Sequence, residues 1–240
     1  MNFRRISTGL MALSIAVAGC CGVSAQAQEK PWDLESVLHQ MDVSGANFKS
    51  AQADLKKDLY ERVVKETTTQ KGTIFYQRIG NSVQMGAKFD PPTAKIVEVK
   101  GGMVRLFDPN TNHLTQISIK KNQNQYESFL TIGFGGSGTD LAKHWTVDYM
   151  GTEMLSDGKK MAPTAKLDLV AKDPDAKNLF THITIWVDPT LDVSLKQQFF
   201  QPSGDIQTAT YTNIRYNQLK KSDMDAFAIK TDKKTTVDTH

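Results

Sequence analysis

Arg78 is the one charge in the run Ile74-Phe75-Tyr76-Gln77-Arg78-Ile79, and no catalytic motif accompanies it. An arginine in such a setting argues for binding chemistry. The other candidates for chemistry are weaker. His39, His113, His144, His182 and His240 are scattered, and no two have metal-ligand spacing beside a carboxylate. There is no G-x-S-x-G elbow. Asp140 and His144 can face each other on a helix, where a surface pair is the ordinary reading. The glycine run Gly133–Gly138, GFGGSG, has no hydrophobic strand leading directly into it and no Lys-Ser/Thr pair after it, so it does not read as a phosphate loop. No catalytic residue, metal ligand or cofactor is therefore expected.

The elements that must position Arg78 lie between Lys71 and Phe107. Short runs rich in Val, Ile, Phe and Tyr, broken by Asn-Ser, Pro-Pro and Gly-Gly, read as four antiparallel strands. On the two-residue period, Ile74, Tyr76 and Arg78 share one face, and Thr73, Phe75, Gln77 and Ile79 share the other. Ile74 and Tyr76 argue that Arg78 faces inward; Phe75 and Ile79 argue the reverse. Val83, Met85, Ala87 and Phe89 alternate as a half-buried strand, and Gly101-Gly102 marks a hairpin.

Of the 240 residues, only the N-terminus carries a long apolar run. Met1–Arg5 is a basic leader and Ile6–Gly19 an apolar stretch too short for a membrane span, so residues 1–27 read as a signal peptide. Ala25-Gln26-Ala27 fits a cleavage site that leaves a soluble chain, residues 28–240, as a single domain. Val17-Ala18-Gly19-Cys20 fits a bacterial lipobox that would anchor the protein through Cys20. Cys20 and Cys21 are the only cysteines, so cleavage after Ala27 leaves neither disulfides nor thiolates. It also removes Arg4 and Arg5, lowering 29 basic residues to 27 against 26 acidic ones, a net charge of +1. That balance lacks the basic stripe of a nucleic-acid binder.

Elsewhere, Asp33 caps an apolar stripe of Leu34, Val37, Leu38 and Met41, an amphipathic helix ended by Gly45. Residues 46–64 fit either a helix or a strand, with propensity slightly favouring the helix. Gln123–Lys143 reads as two short helical pieces joined by the glycine run as a mobile flap. Strands return from Trp145 to Tyr216, Phe227 lies in a last strand or cap, and the tail is frayed. Strands about every ten residues predict a barrel or strongly curved sheet, with apolar side chains enough for either an internal cavity or a packed core.

The order of these features resembles the periplasmic outer-membrane lipoprotein carrier family (LolA-like, related to LolB). The shared points are a signal peptide, one amphipathic helix and a strand carrying Gly72-x5-Arg78. A Gly-Gly hairpin follows, running to Leu106-Phe107-Asp108-Pro109, then a mid-chain helical break, Trp186-Val187-Asp188-Pro189 and a closing Phe227 strand. The resemblance implies a mainly β fold: an incomplete, strongly curved antiparallel barrel covered by a lid of a few short helices. It makes residues 46–64 a long first strand. It implies a monomeric, non-enzymatic periplasmic chaperone for outer-membrane lipoprotein sorting, which holds acyl chains of lipoproteins or other lipids in the barrel. An inner-membrane release complex and an outer-membrane acceptor would be its partners. Arg78 takes the place of an arginine that latches the lid, and Ile74, Tyr76, Met85, Phe89, Val97, Val99 and Leu106 would line the ligand site. Ile79 stands where that family often has proline. The alternatives are a membrane-anchored acceptor, if Cys20 is lipidated, and a lipid sensor regulating envelope stress through a protein partner.

Overall fold

A computed structural model describes residues 32–80, 82–122, 129, 132–225 and 227–240. The expected signal peptide with Cys20 lies outside them, as do Tyr126 and Leu130 of the first helical piece expected in mid-chain.

Asp33 opens helix α1 (Leu34–Asn47) as its residue type predicts. Its carboxylate accepts the Ser36 N–H (2.8 Å), and the Ser36 hydroxyl accepts the Asp33 N–H (3.0 Å), a reciprocal cap that satisfies two otherwise orphaned donors. Val37 and Met41 of the expected stripe are fully buried. The helix does not end at Gly45. That residue is an interior helical position packed against the Asp192 carboxylate and Gly136.

Strands β1 (Ser50–Glu61), β2 (Glu66–Ile79), β3 (Ser82–Phe89), β4 (Lys95–Lys100), β5 (Met103–Asp108) and β6 (His113–Ser118) follow as a meander. The expected four strands of the Lys71–Phe107 region are all present, with Gly101-Gly102 as the β4–β5 turn. Helix α2 (Gly138–His144) leads into β7 (Trp145–Ser156) and β8 (Met161–Ala171). Helix α3 (Pro174–Leu179), β9 (His182–Asp188), β10 (Val193–Phe200), β11 (Ile206–Tyr216), helix α4 (Lys221–Asp225) and β12 (Thr236–Thr239) complete the chain.

All twelve strands form one sheet in the order β12-β6-β5-β4-β3-β2-β1-β11-β10-β9-β8-β7. Every neighbouring pair is antiparallel except β12–β6. β7 and β12 end the sheet without pairing to each other, so the barrel is incomplete, as the resemblance implied. Within residues 46–64, the long first strand is present as β1. Hydrogen-bonded neighbours on both sides, β2 and β11, override the slight helical propensity.

At the C-terminus Phe227 is the cap of the two alternatives and not the closing strand of the resemblance: it is buried, with its ring centroid 4.7 Å from that of Phe75. The strand that closes the sheet is instead part of the tail expected to fray, with Thr236–Thr239 pairing to His113–Gln116.

The core has two parts. Under β7–β10, the helices supply Val37, Met41 and Leu141 to cover Leu167, Ile183 and Ile185. Around β1–β3 and β11, Phe48, Ile74, Tyr76, Phe134 and Tyr211 pack together.

Candidate ligand-binding site

Strand register places Arg78 on the inner face. Ile74 and Tyr76, of the same parity, are buried in the β1–β3 core, whereas Phe75 packs outward on Phe227 and Ile79 is half exposed. Outward aromatic and aliphatic residues here have a cap of their own, and that is why β2 looked apolar on both faces.

The Arg78 guanidinium joins two covering segments. Its Nε donates to the Phe48 carbonyl (3.2 Å), and its Nη2 donates to the carbonyls of Gly45 (3.4 Å) and Gly135. Gly45 lies in the last turn of α1 and Phe48 is its C-cap; the Gly45 carbonyl also accepts the Phe48 N–H (3.2 Å), and a cation is favoured at this end of the helix. The last turn of α1 has no basic residue, so the sheet supplies the charge.

The glycine run is the second covering segment, and it is not an outer flap. Ile132 to Gly135 are buried, and Phe134 has no exposed surface. The segment docks on β10 through a Phe134–Val193 bridge, with Ser194 N–H donating to the Gly133 carbonyl (2.6 Å). Gln197 Nε2 donates to the Ile132 carbonyl (2.7 Å), and the Tyr211 hydroxyl donates to Gln197 Oε1 (2.9 Å). The Phe134 ring lies between Tyr76 and Tyr211, at centroid distances of 4.1 and 4.9 Å. Gly135 is required: its φ is +74° and an added Cβ would come within 2.3 Å of the Phe48 ring.

Asp192 completes the clasp from behind. It is fully buried, and among the described residues no donor meets its carboxylate with full hydrogen-bond geometry; the Gly135 N–H donates to the Asp192 backbone carbonyl (3.1 Å) and also favours the charged carboxylate. Burial pushes its pKa well above the carboxylate range, against the opposing pull of the Arg78 charge.

The eight residues expected to bind ligand all lie on the inner face. Ile74, Ala87, Val97 and Leu106 form one cross-strand row, and Tyr76, Met85 and Val99 another. Their surroundings differ. Ile74 and Tyr76 are covered, Tyr76 by Phe134 itself, and Val99 is buried. Met85, Phe89 and Val97 are half-buried, and Leu106 is 38% exposed. An open apolar trough therefore continues from the filled centre across β3–β5. A pocket of about 540 Å³, open to solvent, lies where α1, α2 and the glycine run meet, lined by Met41, Asp42, Arg78, Gly135, Leu141 and Trp145.

No family model matches the chain, and neither does any curated protein. Among solved structures, it is similar to a conserved, uncharacterized protein from Thermus thermophilus, at 10% identity and a TM-score of 0.52 over 86% of this chain and 98% of that one. It also matches Mycobacterium tuberculosis lipoprotein LppX at 13% identity, over 78% and 98% of the two chains, with a TM-score of 0.45. A LolA superfamily protein from Nitrosomonas europaea matches at 12% identity, over 80% and 96%, with a TM-score of 0.38. The first of these likenesses establishes a shared fold.

Sequence reasoning missed Phe134, Asp192 and Gln197. A phenylalanine held between two glycines is a signal for an aromatic pressed against backbone. Asp192, just after Asp188-Pro189, reads only as a turn residue.

Proposed function

We propose that the protein is a periplasmic carrier that shelters the acyl chains of lipoproteins or other lipids in its half-barrel and carries them toward the outer membrane. One observation carries this reading: the inward Arg78 ties α1 and the glycine run, by their carbonyls, over a concave apolar sheet. Such an arrangement is a closed lid over a greasy interior. Each methylene taken from water contributes ~0.8 kcal/mol, so a chain of about sixteen carbons gains on the order of 10 kcal/mol. A site that only attracted lipid would not release it. The clasp and the Phe134 stacking stabilise the closed, empty form and so offset part of that gain.

Arg78, Ile74, Tyr76, Met85, Phe89, Val97, Val99 and Leu106 form the site in this reading, with Ile74 and Tyr76 available once Phe134 withdraws. Native mass spectrometry of protein purified from its own envelope tests it. Bound acylated species are expected, and their repeated absence at saturating lipid would refute the carrier.

A further inference from the structure

Two cations stand on the inner face at one end of the trough. Lys57 shares the inner face with Ala53 and Leu55 of β1, and Lys95 shares it with Val97 and Val99 of β4. Three strand spacings separate them in the sheet order, but the sheet is not flat there. A Cβ added to Gly72 of β2 would lie 2.1 Å from the Lys88 carbonyl oxygen and 2.9 Å from Phe89 Cα, so β3 folds over the inner face of β2. Leu55, Gly72, Phe89 and Lys95 form one cross-strand row on that face, and Lys57, the next inner-face position of β1, stands at the same end of it. Burial first, and Lys95 second, hold the Lys57 ammonium below its ordinary pKa range.

Among the described residues neither lysine forms an ion pair. The acid nearest in sequence, Asp58, points to the opposite face, where it accepts from Lys56 (2.7 Å) and Thr69 (2.6 Å). Phe89 pairs with both Gly72 and Lys95, so an aromatic ring lies at the same end of the trough. Lys57 is half-buried beside apolar side chains and Lys95 is exposed at the rim, so an anion between them would relieve the burial and repulsion that Lys57 bears and meet a solvated cation at its outer side. The apolar rows and the unpaired cations thus complement one kind of molecule, an acyl chain ending in an anion.

We propose that this trough binds a phosphate-bearing anionic lipid, its acyl chains along Met85, Val97 and Leu106 and its headgroup phosphate between Lys57 and Lys95. The proposal rests on the carrier reading and names its ligand class.

The test mixes the purified mature chain with phosphatidylcholine vesicles carrying a trace of fluorescent phosphatidylglycerol or of fluorescent phosphatidylcholine with the same chains. Lipid retained by the re-isolated protein is then measured. The wild type is expected to prefer phosphatidylglycerol by on the order of tenfold. Lys57→Gln/Lys95→Gln removes the preference and keeps phosphatidylcholine uptake, while Lys56→Gln/Lys71→Gln, on the outer face, leaves the preference intact. Where the double variant does not fold, Lys95→Gln alone, at an exposed position, weakens the preference. Equal uptake of the two lipids by the wild type overturns the headgroup site and spares the carrier. A preference that survives Lys57→Gln/Lys95→Gln, or is lost equally on neutralising the outer face, does the same. No uptake of either lipid overturns both readings.

Discussion

The ring of Phe134 lies flat against that of Tyr76, with centroids 4.1 Å apart and planes 9° from parallel. Tyr76 is on the inner face of the sheet, so the glycine run has placed an aromatic side chain where the half-barrel would otherwise be hollow. The protein fills its own centre. In the proposed carrier, a long apolar ligand entering there would exchange one apolar surface for another, and the energy of opening would be set by this small segment and its clasp.

Phe134→Ala separates the two roles of that ring. Removing a buried phenylalanine costs about 3–5 kcal/mol when the space does not collapse, and urea unfolding should show a loss in that range. The vacated centre should also take up acyl chains more readily, read as increased binding of a fluorescent fatty acid at fixed protein concentration. A stability loss with reduced binding would mean that Phe134 builds the site instead of occupying it.

Arg78→Leu removes the side-chain hydrogen bonds that tie α1 and the glycine run to β2. The freed carbonyls can turn to water as the lid loosens, so the stability loss should stay near the ~1.5–3 kcal/mol typical of a charged hydrogen bond. Ligand exchange should change more, by tenfold or above. Stopped-flow release of a bound fluorescent lipid gives the comparison, and unchanged exchange would show that Arg78 is no latch.

Gly135→Ala attacks the glycine run without touching an apolar side chain. At φ +74° any other residue adds about 1–2 kcal/mol of backbone strain, and here its Cβ also meets the Phe48 ring. The segment should undock while the sheet persists. Limited proteolysis should then cut near residues 132–137 in the variant first, and equal cleavage of variant and wild type would contradict the docked segment.

Asp192 predicts a pH dependence of definite sign. An unfolded aspartate has a pKa near ~3.9, and burial raises the folded value well above it, while Asp42 adds to the rise and Arg78 opposes it. Tyr216 also feels the Asp192 charge. The folded state therefore holds a proton that the unfolded state releases. This stability is fully present below the unfolded pKa and is lost as pH rises through the folded one. Asp192→Asn mimics the protonated form and should melt with the wild type at pH 4. By pH 8 it should melt above the wild type, the gap opening as pH rises from 4. Parallel melting curves across that range would refute the buried neutral acid.

The local alphabet of the sequence was enough for most of the sheet. Alternation in Val83–Phe89, the Gly101-Gly102 turn and the Asp33 cap are decided by neighbours within a few residues, where steric and hydrogen-bonding rules are short-ranged. The inner-face set from Ile74 to Leu106 was legible for the same reason, as a period-two pattern. What it could not decide was which face is inside. That depends on Phe227 capping Phe75, a contact across about 150 residues of chain. Nor could the glycine run announce that it is buried: docking needs the backbone of β10 and the carbonyl-seeking Arg78, both far off in sequence. Local chemistry determined the strands and the order in which they follow one another. Only the tertiary packing, which brings Arg78, Phe134 and Asp192 together, decided that α1 and the glycine run are tied to the sheet and the centre is filled.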